Sequence, residues 1–479
     1  MYNNYYSLII SINTRIWHVI ALFLWIVFLL TATALRSQPV IKRPNIIFIL
    51  TDDQRWDAVG FAGNPIIHTP NMDKLAGEGI YFTHAFVTTP ICAASRASIA
   101  TGLYETTHQF TFDTPPLKKE FIRNCYYRIL KENGYYTGFL GKFGMQFEDG
   151  EEKKLFDVFD AYMPDFYYRL TGKGWGHHTY LTYLTGQKAV EFLKKAPADK
   201  PFCLNISFNA PHAEDRSPDQ YIYPEKLSNL YEGVTLPPPP LQEEKYFMEQ
   251  PEYVREGMNR IRWYWRFDNP EKYQRMVKGY YRMITAVDDV LGDLRSTLDS
   301  LGLAENTILI FTSDNGYFLG ERGLAGKWLM YENSIRVPFI IYDPTRSGLV
   351  KKRDELILNI DIAPTILELA GIRQDHGYQG KSLVPLLDNR ETAWRNEFFV
   401  EHLYDIEYIP KSEGVRTEKW KYFRYIDHPE HEELFDLEND PRESRNLIGH
   451  DGHAGMADQL RRKCSAYKQQ YLEMINDFR

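Results

Sequence analysis

Four apolar runs of strand length, each closed by a polar cluster, constrain this chain more than any other feature of its sequence. Asn45-Ile46-Ile47-Phe48-Ile49-Leu50 stops at Thr51-Asp52-Asp53. The run at 135–140 stops at Gly141-Lys142, the run at 202–208 at Ala210-Pro211-His212, and the run at 307–312 at Ser313-Asp314-Asn315-Gly316. Because these runs are apolar at nearly every position, they predict strands buried on both faces. Such strands form a mostly parallel sheet flanked by helices. Helix-forming stretches at 72–78, 122–133, 185–195 and 276–301 lie between them, which completes an α/β pattern. The prolines at 237–240 predict an extended loop. The tail from Asn396 alternates instead, at 398–400, 412–417 and 420–425, and ends in an amphipathic stretch from about Met456. This predicts a smaller antiparallel sheet with a closing helix. The expected organisation is a catalytic α/β domain at 43–387 and a C-terminal α+β subdomain at 388–479.

In an open α/β sheet the ligand site lies beyond the carboxyl ends of the strands. Asp52, Asp53, Lys142, His212, Asp314 and Asn315 are therefore expected on one rim, mixing acidic metal ligands with cationic anion binders. Asp52, Asp53, Asp314 and Asn315 offer only oxygen, the donor set of a hard cation such as calcium or magnesium rather than zinc. Asp-Asp at a strand end and Asp-Asn-Gly in a tight turn are both common without a metal. Their matched positions after two apolar strands carry the expectation.

The net charge of −8, from 56 Lys+Arg against 64 Asp+Glu, argues against general nucleic-acid binding, which requires a basic footprint. The apolar segment 17–30, with Arg15 before it and Thr31-Ala32-Thr33-Ala34 after it, is short of the ~20 residues of a membrane span. It predicts a cleaved export signal at 1–34, no stable membrane span afterwards, and a periplasmic or secreted product. A retained N-terminal anchor is the alternative. Four scattered cysteines without a CxxC pair make neither a disulfide scaffold nor a zinc ribbon. Cys203 reads as core. Cys92 opens a helix-prone segment after Pro90, which places it near a helix N-terminus, where backbone N–H groups favour an anion.

Cys92-Ala93-Ala94-Ser95-Arg96 resembles the C-x-P/A-x-R signature of the type I sulfatases of the alkaline phosphatase superfamily. The same family is matched by A-S-I-A-T-G at 97–102, P-N-I-I-F-I-L-T-D-D-Q-R-W-D at 44–57 and T-P-N-M-D-K-L-A at 69–76. Further matches are S-D-N-G-Y-F-L-G-E-R-G-L-A-G-K at 313–327 and E-L-F-D-L-E-N-D-P-R-E at 433–443. The resemblance implies an alkaline phosphatase-like fold and sulfate-ester hydrolysis. It implies that a separate maturation enzyme converts Cys92 to formylglycine, whose hydrate is the nucleophile. Calcium would be held by Asp52, Asp53, Asp314 and Asn315, with residue 92 completing the shell. Arg96 would orient the nucleophile, Lys142 and Lys327 would bind sulfate oxygens, and His212 would bind the ester and protonate the leaving oxygen.

Two departures from the family stand out. Gly144 replaces a histidine expected to assist turnover, and Arg322 replaces another. His108 and Gln146 are candidate substitutes for the first. Arg322 is expected to face the ester or a neighbouring anionic group, because a guanidinium binds such groups bidentately. The expected substrate is a sulfated poly- or oligosaccharide, with His177, His178, His402 and Arg416 as candidate contacts. Two other readings are a phosphodiesterase or phosphonate hydrolase of the same superfamily, and a non-catalytic sulfoglycan-binding protein.

Overall fold

The protein is described from a computed structural model covering residues 43–112, 115–162, 167–170, 178–346, 350–373 and 377–478, with positions 17, 18, 20, 23 and 25. The expected signal at 1–34 thus falls almost wholly outside the described residues. Among these residues no helix is long and apolar enough to cross a membrane. The chain divides into two units, Met1–Arg43 and Pro44–Arg479; the elements named below and the site lie in the second.

The elements that matter for the site follow in chain order. They begin with β1 (Asn45–Thr51), α1 (Pro70–Glu78), β2 (Ile80–Phe82), α2 (Cys92–Thr101), α3 (Tyr126–Glu132) and β3 (Tyr136–Lys142). Next come β4 (Val158–Tyr162), α4 (Leu181–Lys195), β5 (Phe202–Ser207), α5 (Pro270–Ser300), β6 (Thr307–Ser313), β7 (Phe339–Tyr342) and β8 (Lys352–Arg353). The C-terminal part adds β9 (Glu397–His402), β10 (Ser412–Thr417), β11 (Trp420–Tyr425), β12 (His428–Asp436) and α6 (Ala454–Met474).

Eight strands form the main sheet in the order β8-β2-β7-β6-β1-β5-β3-β4. From β6 to β4 all neighbours are parallel, while β7 runs antiparallel to both β6 and β2. Both faces of the central strands are covered, as continuous apolar runs require. Ile46, Phe48 and Leu50 point to one side, into a core with α2 and α3. Ile47 and Ile49 point to the other, into a core with α1, α4 and α5. The helix expected over 122–133 is broken: a turn at Arg123–Cys125 separates Lys119–Ile122 from α3.

The C-terminal sheet is four-stranded, β9-β10-β11-β12, and antiparallel throughout. Its last strand is absent from the sequence reading because its first half, His428-Pro429-Glu430-His431-Glu432, is charged and mostly exposed. Phe399, Val415, Tyr422, Phe423 and Phe435 share one continuous core with β1 and α2.

Candidate active site

Strand register sets the rim. Thr51 pairs with Ser313 and Leu50 with Ser207, while Gly141 also pairs with Ser207. The residues that follow these strand ends therefore emerge side by side. Asp53 has a left-handed backbone, φ 64°. Its turn is held by Asp53 N–H donating to Asp314 Oδ1 at 3.2 Å, Gln54 N–H to Ser313 Oγ at 3.0 Å, and Tyr280 O–H to Asp53 O at 2.7 Å. Gly141 is fixed by space: a Cβ there would lie 2.0 Å from the Ser207 carbonyl oxygen.

Three carboxylates converge with three cations. Arg96, fully buried on α2, donates from Nε to Asp314 Oδ2 at 2.9 Å and from one terminal nitrogen to the Lys142 carbonyl at 2.7 Å and Ser207 Oγ at 2.5 Å. Its other terminal nitrogen lies 2.8 Å from Asp314 Oδ2 and 3.3 Å from Asp52 Oδ2. Lys142 Nζ pairs with Asp52 Oδ2. Lys327 Nζ sits 2.6 Å from Asp53 Oδ1 and 3.7 Å from Asp52 Oδ1. Asn315 Nδ2 donates to Asp53 Oδ1 at 2.7 Å. Burial alone would raise the Asp52 carboxyl, but Lys142, Lys327, His212 and Arg96 together hold it well below the usual range. Asp314 moves the other way, to about 6, by burial and by repulsion from Asp52.

Cys92 is the first residue of α2, a helix buried along its whole length. The small residues Ala93, Ala94, Ala97 and Ala100 let that helix lie deep in the core. The thiol is close enough to Arg96 and Lys327 to interact with both cations, and the free N–H groups of the helix start add to this positive environment. His212 reaches the mouth of the site, about a quarter exposed, with Nε2 3.6 Å from Asp53 Oδ2. Its Nδ1 lies 2.7 Å from the Ala213 carbonyl, which fixes the proton on Nδ1 and leaves Nε2 open toward the site. Burial pushes its pKa down to about 4.

The donor set fits a hard cation. Asp52 Oδ1 and Asn315 Oδ1 are buried without any hydrogen-bond partner, a costly state that a bound ion relieves. Asp52, Asp53 and His212 also lie close enough together to share an ion.

The remaining sequence-predicted residues behave differently. Arg322 does not face the rim. Its guanidinium stacks on Tyr331 at 4.3 Å and donates to the carbonyls of Arg442, at 3.2 Å, and Glu443. It leaves Glu321 to pair with Arg55 at 2.6 Å. Arg416 is turned inward against Phe86 and Glu332. His402 is fully buried, its pKa pushed to about 3 by that burial. All three side chains are thus buried among other protein groups. His177 lies outside the described residues, and of His178 only the backbone, in a short strand, is described. His108 is also no substitute base: it is buried against Ser98 Oγ at 3.0 Å. Gln146 is exposed.

Sequence reasoning missed the wall beside His212. Arg262 stacks on Trp328 at 4.6 Å and reaches Asp215 Oδ2 at 2.6 Å, and fully buried Arg266 holds the same carboxylate. The only signal is a run of aromatic and basic residues at 260–266, which does not reveal its partner.

Fold and rim together match the alkaline phosphatase type, with buried carboxylates ringed by fixed positive charges. The chain belongs to the sulfatase family: the family model described as Sulfatase matches residues 44–372. A second model, for the C-terminal region of N-sulphoglucosamine sulphohydrolase, matches 320–470. The chain is 28% identical to an N-acetylglucosamine-6-O-sulfatase of Bacteroides thetaiotaomicron, over 90% of this chain and 87% of that one. It is 30% identical to an ulvan-active sulfatase of Formosa agariphila, over 85% and 77%. A solved structure in complex with its substrate, D-glucosamine-2-N,6-O-disulfate, is 27% identical with a TM-score of 0.74, covering 90% of this chain and 99% of that one. The phosphonate monoester hydrolase of Agrobacterium radiobacter, 23% identical with a TM-score of 0.70 over 90% and 96%, shares the fold. The protein is thus a sulfuric ester hydrolase.

Proposed function

We propose that this enzyme is an exported sulfatase of sulfated carbohydrates, with formylglycine made from Cys92 as nucleophile and calcium held by Asp52, Asp53, Asp314 and Asn315. The observation that carries the reading is the pair of orphaned oxygens, Asp52 Oδ1 and Asn315 Oδ1, on the rim where Arg96 and Lys327 flank Cys92. A calcium ion there would supply the positive field that three carboxylates balanced by three cations lack. The aldehyde carbon of formylglycine supplies the electrophile whose hydrate attacks sulfur.

The protein's own groups do the rest. Arg96, locked by Asp314, Asp52, Ser207 and the Lys142 carbonyl, holds the nucleophile's surroundings rigid and positive. Lys142 and Lys327 present ammonium donors to the non-bridging oxygens of the ester. His212, with Nδ1 committed to the Ala213 carbonyl, presents a bare Nε2 that would take up the proton of the attacking hydroxyl and pass it to the leaving oxygen. A carbohydrate substrate is supported by the relatives that act on N-acetylglucosamine 6-sulfate and ulvan, and by the disulfated glucosamine complex. Export is supported by the apolar segment 17–30. Cys92 is 6% exposed, so the maturation enzyme must reach it before α2 docks.

Mass spectrometry of the peptide containing Cys92, from protein coexpressed with a maturation enzyme, tests the reading. The thiol is expected to be replaced by an aldehyde, with activity proportional to the converted fraction. Full activity from a chain carrying only unmodified Cys92 overturns it. His212 within reach of Asp52 and Asp53 is the one feature favouring the phosphodiester or phosphonate reading. Zinc-dependent turnover of an aryl phosphodiester exceeding calcium-dependent turnover of an aryl sulfate would establish that alternative.

A further inference from the structure

A second cluster of metal-ligating side chains lies away from the rim, at the start of β12. Strand β12 follows β11 in register from Trp420↔Asp436 to Arg424↔Glu432, and the next pair is Tyr425↔His428. One step along β11 therefore spans four along β12, and Pro429, Glu430 and His431 are looped out. In a regular strand residues 428 and 431 would point to opposite faces. The bulge re-aims them, so that His428 Nδ1 lies 3.6 Å and His431 Nδ1 3.7 Å from Glu430 Oε1. One ligand atom from each of the three residues lies within 4.8 Å of the others. Bonds of about 2.0–2.1 Å in a tetrahedral site put neighbouring ligand atoms about 3.3 Å apart, so modest side-chain adjustment closes the shell.

The surroundings suit a bound ion. Tyr253 stacks face to face on His428, centroids 4.0 Å apart at 7°, and packs at 5.5 Å against His431. It thereby holds both rings in place from the short helix Glu252–Arg255. Glu430 and His431 also line a cavity of about 150 Å³, which gives room for the water or small anion that completes a three-ligand site.

We propose that His428, Glu430 and His431 bind a zinc-class divalent transition metal. Two imidazoles and a carboxylate select such an ion, whereas the oxygen donors Asp52, Asp53, Asp314 and Asn315 on the rim select a hard cation. The two sites share no residue and sort calcium from zinc by donor chemistry. An ion here also ties the bulge of the C-terminal sheet to the face of Tyr253.

Zinc chloride titrated calorimetrically into the full-length protein, with calcium in excess, tests this. One saturable zinc per chain is expected, and the Asp53→Ala variant should retain it. His428→Ala and His431→Ala should each weaken it by roughly tenfold or more, with hydrolysis of a small aryl sulfate unchanged as the check that they fold. Cobalt(II) in place of zinc should give the visible absorption of low-coordinate cobalt, lost in the double variant. Unchanged zinc affinity in the His428→Ala/His431→Ala double variant would overturn the site, as would the absence of saturable zinc in the active wild-type protein.

Discussion

Gly144 stands where the family resemblance leads one to expect a histidine, and the structure dictates what a side chain there would do. Its backbone is left-handed, φ 66°, and a Cβ would lie 2.9 Å from Arg96 Cδ and 3.3 Å from Arg96 Nε. Arg96 cannot yield easily, because its guanidinium is committed to Asp314, Asp52, Ser207 and the Lys142 carbonyl. Gly144→Ala therefore adds about 1–2 kcal/mol of left-handed strain. Displacing one charge-assisted contact of Arg96 costs about 2 kcal/mol more, and that second part falls on the arrangement beside Cys92. The expected outcome is a lower unfolding midpoint and a roughly thirtyfold loss in kcat/KM, measured on a small aryl sulfate with matched aldehyde content. Gly144→His should fare no better than alanine, although it supplies the histidine that the family resemblance leads one to expect. If Gly144→His raised kcat/KM at unchanged stability, the steric reasoning would be refuted, and the histidine would be shown simply to be missing.

Arg322→Ala should leave kinetics on a small aryl sulfate unchanged and lower stability by about 2 kcal/mol, because its buried guanidinium bonds the backbone carbonyls of Arg442 and Glu443. A large kinetic loss at unchanged stability would return Arg322 to the active site. Glu401, buried on β9, is held by Thr106 and repelled by Glu413 and Glu105, with Lys468 opposing; burial is the main cause that moves its pKa from 4.5 to about 7. Because the folded-state pKa is raised, the stability associated with its protonated form is complete below about pH 4.5 and lost as pH rises through about 7. Urea unfolding from pH 5 to 9 should show Glu401→Gln gaining on the wild type between about pH 5 and 7 and keeping a constant margin above that; parallel curves would remove Glu401 as the cause.

The rim was legible because a strand-end rule and a linear motif both act locally. Asp52, Asp314, Lys142 and His212 follow apolar strands, and parallel register places successive strand ends together. Arg96 and Lys327 needed the motif, since nothing in a lone Arg or Lys says that it will be buried. Arg322, Arg416 and His402 were misplaced for the converse reason. Their environments are made by Tyr331, Glu332, Glu443 and the strands β9 and β10, partners that no local pattern announces. The same limit hid β12, whose charged bulge erases the alternation that marks a half-buried strand, and Asp215, whose two arginines come from a helix about fifty residues on.

The undivided core has a consequence for how this enzyme can be altered. Glu401 N–H donates to the Thr88 carbonyl at 2.9 Å, four residues before Cys92, and Thr107 reaches the Tyr471 carbonyl on α6 at 3.1 Å. The C-terminal sheet is thus no interchangeable cassette. A chimera joined between Leu387 and Glu397 would exchange the packing behind α2 along with the outer wall, so grafting a relative's tail would disturb the seat of Cys92 as readily as the surface beyond it. Laboratory recombination should succeed only where the crossover carries both sides of that seam, and divergence in nature would have to proceed by paired changes across it.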